Sequence, residues 1–381
     1  MSVYLDYNAT APIRPEAADA VERALVIGGN PSSVHAAGRA ARAAVERARI
    51  EVAALVGAPD EAVTFTSGGT EANALAIASA FAAGARRSLV GLAEHASVME
   101  NALASGRVVE GWPVARDGLA DLDWLAARLK GWEAADGQVF AAMSLANNET
   151  GVIQPVAEAA ELIHSAGGRL HVDAVQAAGK IEVDIAALDA DTLSLSAHKL
   201  GGPQGAGALI AGPGARLTRV LHGGGQERGV RAGTENVAGI AGFGAAAQAA
   251  RRDLAHACRQ AAWRDAVEAR LHKAANVTVF GDHAPRLPGV LSFATAGFSS
   301  ERQVMALDLE GVMVSAGAAC SSGKVTPSHV LTAMGFEALA NQAIRVSGGW
   351  ASTQGEWERF TDAWLAVHAR FAARRGAAAL A

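Results

Sequence analysis

Between about residues 60 and 211 the chain alternates short β-rich runs with longer alanine-rich segments of helical period. That alternation limits the chain to an α/β sheet with helices packed on it. The predicted strands are 62–66, 88–92, 139–145, 169–172, 192–196 and 207–211, each followed by small, polar or glycine residues. Ligands of open α/β sheets gather beyond the carboxyl ends of strands, so the residues after these runs are the first candidates for a site. The alanine-rich stretch 245–269 predicts a long amphipathic helix leading out of the sheet region. Beyond it, strand-like PGVLSFAT and VMVSAG flank the helical SERQVMALDLEG, the pattern of a smaller α+β unit. The expected division is a large domain over 16–258 and a small one made of 1–15 and 259–381, with the N-terminal arm packed on the small one.

A chain of 381 residues buries a sizeable core, and its net charge of -5 gives no reason to expect nucleic acid or an acidic membrane surface as a partner. MSVYLDYNATAPIRPE lacks a basic segment followed by an apolar one, and no apolar run is long enough to span a bilayer. Cytoplasmic residence is expected. The two cysteines, Cys258 and Cys320, have neither CxxC nor finger spacing, which argues against a disulfide framework or structural zinc. Eleven histidines are scattered without an HExxH pattern, so no metal is expected.

Three motifs carry chemistry. SLSAHKLGGPQGAG puts Lys199 beyond an apolar β run, where an amine projects into a cleft or, as surface lysines do, into solvent; a Schiff base is one use for it. RLHVDAVQAAGK puts Asp173 at another strand end, as a partner for a pyridinium nitrogen or as a helix N-cap. VTFTSGGTEANALAIASAF runs from a strand through Ser67, Gly68, Gly69 and Thr70 into a helix, whose free amide groups suit a phosphate or form an ordinary capped turn.

With these in one α/β chain, the sequence resembles the class V aminotransferase-like enzymes that use pyridoxal 5'-phosphate, and within them the NifS/IscS-like cysteine desulfurases. The resemblance runs through YLDYNATAP, GNPSSVHAAGR, FTSGGTEANALAI, AEHASV, NNETGVIQP, HVDAVQAAGK, SAHKLGGPQG, HGGGQERGVRAGTEN, SAGAACSSGK and IRVSGG. It implies the aspartate aminotransferase-like fold type I, with a large, mostly parallel seven-stranded sheet domain and a smaller α+β domain. It further implies that Lys199 carries the cofactor as a Schiff base and that Asp173 pairs with the ring nitrogen. Gln176 and Asn148 lie near the ring oxygen in this reading, and His95 stacks on the ring and shuttles protons. Gly69, Thr70, Ser196 and His198 surround the phosphate, and Thr234 reaches the phosphate of a neighbouring subunit, so a homodimer is implied. Arg345 clamps the substrate α-carboxylate, with Asn30 as a second contact.

Cys320 selects the reaction. It stands among small residues in SAGAACSSG, a composition that predicts a mobile loop, whereas Cys258 in HACRQAAW reads as a structural cysteine. The implied chemistry converts L-cysteine to L-alanine: Lys199 acts as base at Cα and the Cys320 thiolate takes the sulfur as a persulfide. Delivery to a sulfur-acceptor protein such as an iron–sulfur cluster scaffold follows, with transient cluster contact at Cys320 as a further option. Lys324 and Val325 depart from the Ser-Leu type pair more usual in the family, and Ala11 from a second threonine. A selenocysteine lyase or another class V enzyme is the alternative. A nucleotide-binding loop is not: GAACSSGK carries one residue too many between its glycines, and GFGAAA lies in a helical stretch.

Overall fold

The computed structural model describes residues 2–317 and 326–379, with side chains as far as residue 374. Its strands are β1 (Val3–Tyr4), β2 (Val63–Thr66), β3 (Arg87–Gly91), β4 (Val108–Trp112), β5 (Phe140–Ser144), β6 (Arg169–Asp173), β7 (Thr192–Ser196), β8 (Gly207–Ala211), β9 (Thr278–Val279), β10 (Val290–Ala294), β11 (Val312–Met313) and β12 (Ala343–Ser347). Seven of them form one sheet in the order β2-β8-β7-β6-β5-β3-β4. Neighbours from β7 to β4 pair in parallel, while β8 is antiparallel to both β7 and β2, so β8 alone runs against the rest. Strands β5 and β7 are buried along their whole length, as expected of strands covered on both faces.

The six predicted strands are all present, with no end moved by more than one residue. Within the seven-stranded sheet, β4 is the strand the sequence hides: VVEGW carries a glutamate and a glycine, and its first residue is exposed. A Cβ at Gly111 would fall 2.5 Å from Cδ2 of Leu92, a 40% exposed side chain that would have to turn aside. The single helix expected over 245–269 is two, Val237–Arg252 and Leu254–Ala274. The break falls at Asp253, whose carboxylate takes Nη1 of buried Arg14 at 2.6 Å and the side chain of Arg252 at 2.9 Å.

A second sheet, in the order β12-β10-β9, is antiparallel and packs with the helices Leu254–Ala274, Ser300–Leu309 and Gln354–Ala379 around Phe293, Ile344, Trp357, Phe360 and Trp364. The N-terminal arm joins this region, because β1 pairs in parallel with β11 and Val3 and Leu5 belong to the same apolar cluster. Farther along, the arm crosses to the large sheet: Ala11 N–H donates to the carbonyl of His198 at 2.9 Å and Arg14 N–H to that of Gly201 at 2.8 Å.

Edge strand β2 is closed by a buried ion pair. Arg49 donates from Nη1 to the Val63 carbonyl and to Glu227, both at 2.8 Å, and from Nη2 to Glu227 at 3.0 Å. Glu227 in turn accepts the Phe65 amide at 2.9 Å. The pair thus satisfies edge groups that would otherwise recruit another strand. Removing one partner strands the other charge in the interior. Arg49→Ala is expected to cost about 3–5 kcal/mol of unfolding free energy in a urea titration. A change below about 1 kcal/mol would remove the pair from the forces that hold this edge.

Candidate active site

The strands that run together end together, and five of those ends open on one cavity of about 230 Å³. Residues after β2 supply Gly69 and Thr70, after β3 His95, after β5 Asn148, after β6 Asp173 and Gln176, and after β7 Ser196, His198 and Lys199; all line the cavity. Nine of the residues singled out in the sequence are therefore brought together.

The helix Gly69–Ala82 points its first turn at this cavity, so its free N–H groups and the positive end of its dipole suit an anion. Ser67 N–H bonds Glu71 at 2.8 Å, and Glu71 is paired with Arg231 at 2.8 Å, which fixes the turn. Gly69 has to be small: a Cβ would stand 2.8 Å from Cγ2 of Val175, in the turn after Asp173. This close approach brings the helix start against the loop that carries the carboxylate.

Asp173 is buried, and each of its oxygens accepts a hydrogen bond. Oδ1 takes the Val175 amide at 2.9 Å in a local turn, with no helix following as the N-cap alternative required, and Oδ2 takes Nδ2 of Asn73 at 2.9 Å. Asn73 Nδ2 also donates to Oγ of Ser97 at 2.9 Å, so its Oδ1 accepts from Nε2 of His171 at 2.9 Å. That fixes the His171 tautomer, with Nδ1 accepting from the Thr192 hydroxyl. Burial pushes His171 down to about 4, so it stays neutral. His95 caps the helix Ala96–Ala104, its Nδ1 accepting the Ser97 amide at 3.1 Å, which leaves the proton on Nε2.

Lys199 donates to the carbonyls of Asn8 at 2.6 Å and Ala9 at 2.8 Å. Burial, followed by the nearby Arg345 guanidinium, lowers its pKa to about 8, with Asp6 and Asp173 opposing the shift. His198, bonded through Nδ1 to Thr10 Oγ1 at 3.2 Å, falls to about 4 through burial and through the Lys199 and Lys180 charges.

Arg345 lies on β12, behind the cavity wall. It donates to the Asn148 carbonyl at 3.0 Å and to Asp6 at 2.6 Å, and its Nε has no hydrogen-bond partner among the described residues. Asn30 and Thr234 are exposed and do not line the cavity; Asn30 Oδ1 accepts the Ser32 amide at 2.9 Å in its own turn. Cys320, with Lys324 and Val325, lies outside the described residues.

Sequence reasoning passed over Asp6, Asn8, Asn73 and Lys180. Asn73 was legible in principle, standing four residues after Gly69 on the same helix face. Asn8 sat in plain view in YLDYNATAP without a role.

Residues 3–360 match the model of the class-V aminotransferase family. The chain is 43% identical over 377 residues to a cysteine desulfurase of Cereibacter sphaeroides, an alignment covering 94% of each. It is 39% identical over 365 residues to the cysteine desulfurase IscS of Dictyoglomus turgidum, covering 92% of this chain and 91% of that one. Among solved structures, a NifS-like protein from Rickettsia africae superposes with a TM-score of 0.87 at 31% identity, over 97% of this chain and 99% of the other. Fold, cavity and sequence agree: the chain belongs to the class-V aminotransferase family, whose enzymes depend on pyridoxal phosphate.

Proposed function

We propose that this chain is a cysteine desulfurase that converts L-cysteine to L-alanine and passes the sulfur to Cys320 as a persulfide. The observation that carries the reading is the meeting of an anion-binding helix start, a buried carboxylate and a depressed-pKa lysine in one cavity. The donor set fits pyridoxal phosphate: Thr70, Ser196, His198 and the amides at the start of helix Gly69–Ala82 for the phosphate, Asp173 for the ring nitrogen, and Lys199 for the aldehyde carbon. Bound there, pyridoxal phosphate supplies an electron sink for bond changes at the substrate Cα.

The chain's own residues do the rest. Arg345, nearly inaccessible to water and oriented by Asp6 and the Asn148 carbonyl, receives the α-carboxylate of L-cysteine through its planar fork. Lys199, whose amine is poised near neutrality, takes the proton from Cα and later returns one. Asp173 would hold a proton on the cofactor's ring nitrogen, and Asn73, itself braced by His171, holds its carboxylate in place. The Cys320 thiolate attacks the substrate sulfur, so an S–S bond forms as the C–S bond breaks. The electron pair left on carbon is protonated to give L-alanine.

Thr234, exposed and away from its own cavity, serves the phosphate site of a second copy, so the working unit in this reading is a homodimer. Asn30, exposed and bonded within its own turn, is not placed by its own chain at the cavity where a second carboxylate contact would act. An acceptor protein such as a cluster scaffold then removes the sulfur from Cys320. Among the described residues no helix is long and apolar enough to cross a membrane, in keeping with a cytoplasmic site of action.

Cys320→Ser is expected to lower sulfide release from L-cysteine by roughly a thousandfold or more while the bound cofactor's absorption is kept. Undiminished release would sink the persulfide route. The pH dependence follows from the lowered Lys199 value. Only the unprotonated amine is nucleophilic, so reductive methylation of cofactor-free protein should modify Lys199 with a midpoint at about 8. Ordinary lysines respond near ~10.4. A Lys199 midpoint in that higher range, read by peptide mass spectrometry, would contradict the electrostatics described.

A further inference from the structure

The proposed mechanism leaves unused a second lysine close to Lys199. Lys180 stands one turn after Gln176, and its Nζ donates to two amide oxygens, Oδ1 of Asn8 at 2.6 Å and Oε1 of Gln176 at 2.8 Å. No carboxylate among the described residues pairs with it. Burial and the neighbouring Lys199 and Arg345 charges depress its pKa well below the ordinary lysine value. Lys180 is half-buried, and a lysine so placed gains little for stability, because a charge drawn partly out of water without a counter-ion is costly. What it does offer is direction, since a lysine nitrogen bonded to two acceptors dictates which end of each amide faces it.

For Gln176 this decides the orientation. With Oε1 turned to Lys180, Nε2 faces the opposite way and donates one N–H to the Asn8 carbonyl at 3.0 Å, which leaves its second N–H for the cavity that Gln176 lines. For Asn8, Oδ1 is held by Lys180, so Nδ2 is committed to the Asn148 carbonyl at 3.0 Å, the same carbonyl that holds Arg345. The Asn8 amide N–H bonds Oγ of Ser347 at 3.0 Å, and its carbonyl receives Lys199. Asn8 is 1% exposed, so on its side these bonds are shielded from water, although Lys180 and Lys199 are themselves only half-buried.

We infer that Lys180 is a positioning residue for the cofactor pocket: it locks the Gln176 amide so that an N–H, and not the carbonyl oxygen, faces the cavity, and it holds Asn8 beneath Lys199. The inference rests on the pyridoxal phosphate reading of the cavity. Its consequence is that the electronic state of the bound cofactor answers to a residue that does not line that cavity.

The test uses the full chain with pyridoxal phosphate as the probe, and three variants: Lys180→Met, Gln176→Leu and the double. Two quantities are read, the dissociation constant of pyridoxal phosphate and the pH midpoint of its visible absorption when bound. Lys180→Met should weaken binding by roughly tenfold, the cost of one misdirected buried hydrogen bond. It should also move the midpoint by about half a unit or more, in the direction given by Gln176→Leu. The double variant should move it no further, because both changes remove the same N–H. Lys180→Gln, which keeps an N–H donor group on a side chain one atom shorter, is the second variant should Lys180→Met fail to fold, and it should shift the midpoint in the same direction by less. Unchanged binding and midpoint in a folded Lys180 variant, or shifts that simply add, would overturn the inference. A wild-type chain that binds no pyridoxal phosphate would instead overturn the functional reading on which it stands.

Discussion

Lys199 and the carbonyl of Asn8 meet at 2.6 Å across 191 residues of sequence, and much of the site depends on that contact. An amine in a partly dehydrated cleft needs acceptors, and here they are main-chain carbonyls of the N-terminal arm. The arm can supply them because it is fastened at both ends. Its start pairs β1 with β11, and Leu5 and Tyr7 exchange main-chain bonds with Ser347 on β12. Its end bonds the carbonyls of His198 and Gly201, beside Lys199. One short stretch thereby ties the strand bearing Arg345 to the loop bearing Lys199, and Asp6 completes the connection by pairing with Arg345 at 2.6 Å.

The sheet explains the other half of the arrangement. Because β2, β3, β5, β6 and β7 share a direction, the loops leaving them converge whatever chemistry they carry. The reversed strand β8 lies between β2 and β7 and lets the helix after β2 start beside Ser196 and Asp173. The cavity brings together the positive end of a helix dipole, a buried carboxylate on a neutral Asn73–His171 support and an amine with a lowered pKa.

How much of this the sequence disclosed follows the range of the interactions involved. Strand ends are local: an apolar run followed by glycine or a polar residue placed Lys199, Asp173, Thr70, His95 and Gln176 correctly at the mouth of a sheet. Strand β4 escaped because an edge strand tolerates the Glu110-Gly111 pair that a propensity reading takes as a break. The break at Asp253 escaped because it is set by Arg14, 239 residues away. Asn8 and Lys180 escaped for the same reason: an asparagine and a lysine acquire their roles here only through partners up to 339 positions distant. Arg345 was legible as a strand arginine, but its orientation by Asp6 was not. The proposed role of Cys320 in choosing the reaction rests on family resemblance and on the composition of its segment.

Treating the purified chain, loaded with pyridoxal phosphate, with borohydride and mapping its peptides by mass spectrometry tests the central claim most directly. The account predicts one phosphopyridoxyl group per chain, on Lys199, with the visible colour of the protein lost on reduction. A colourless protein that takes up no label, or a label found on Lys180 or another lysine, would contradict it.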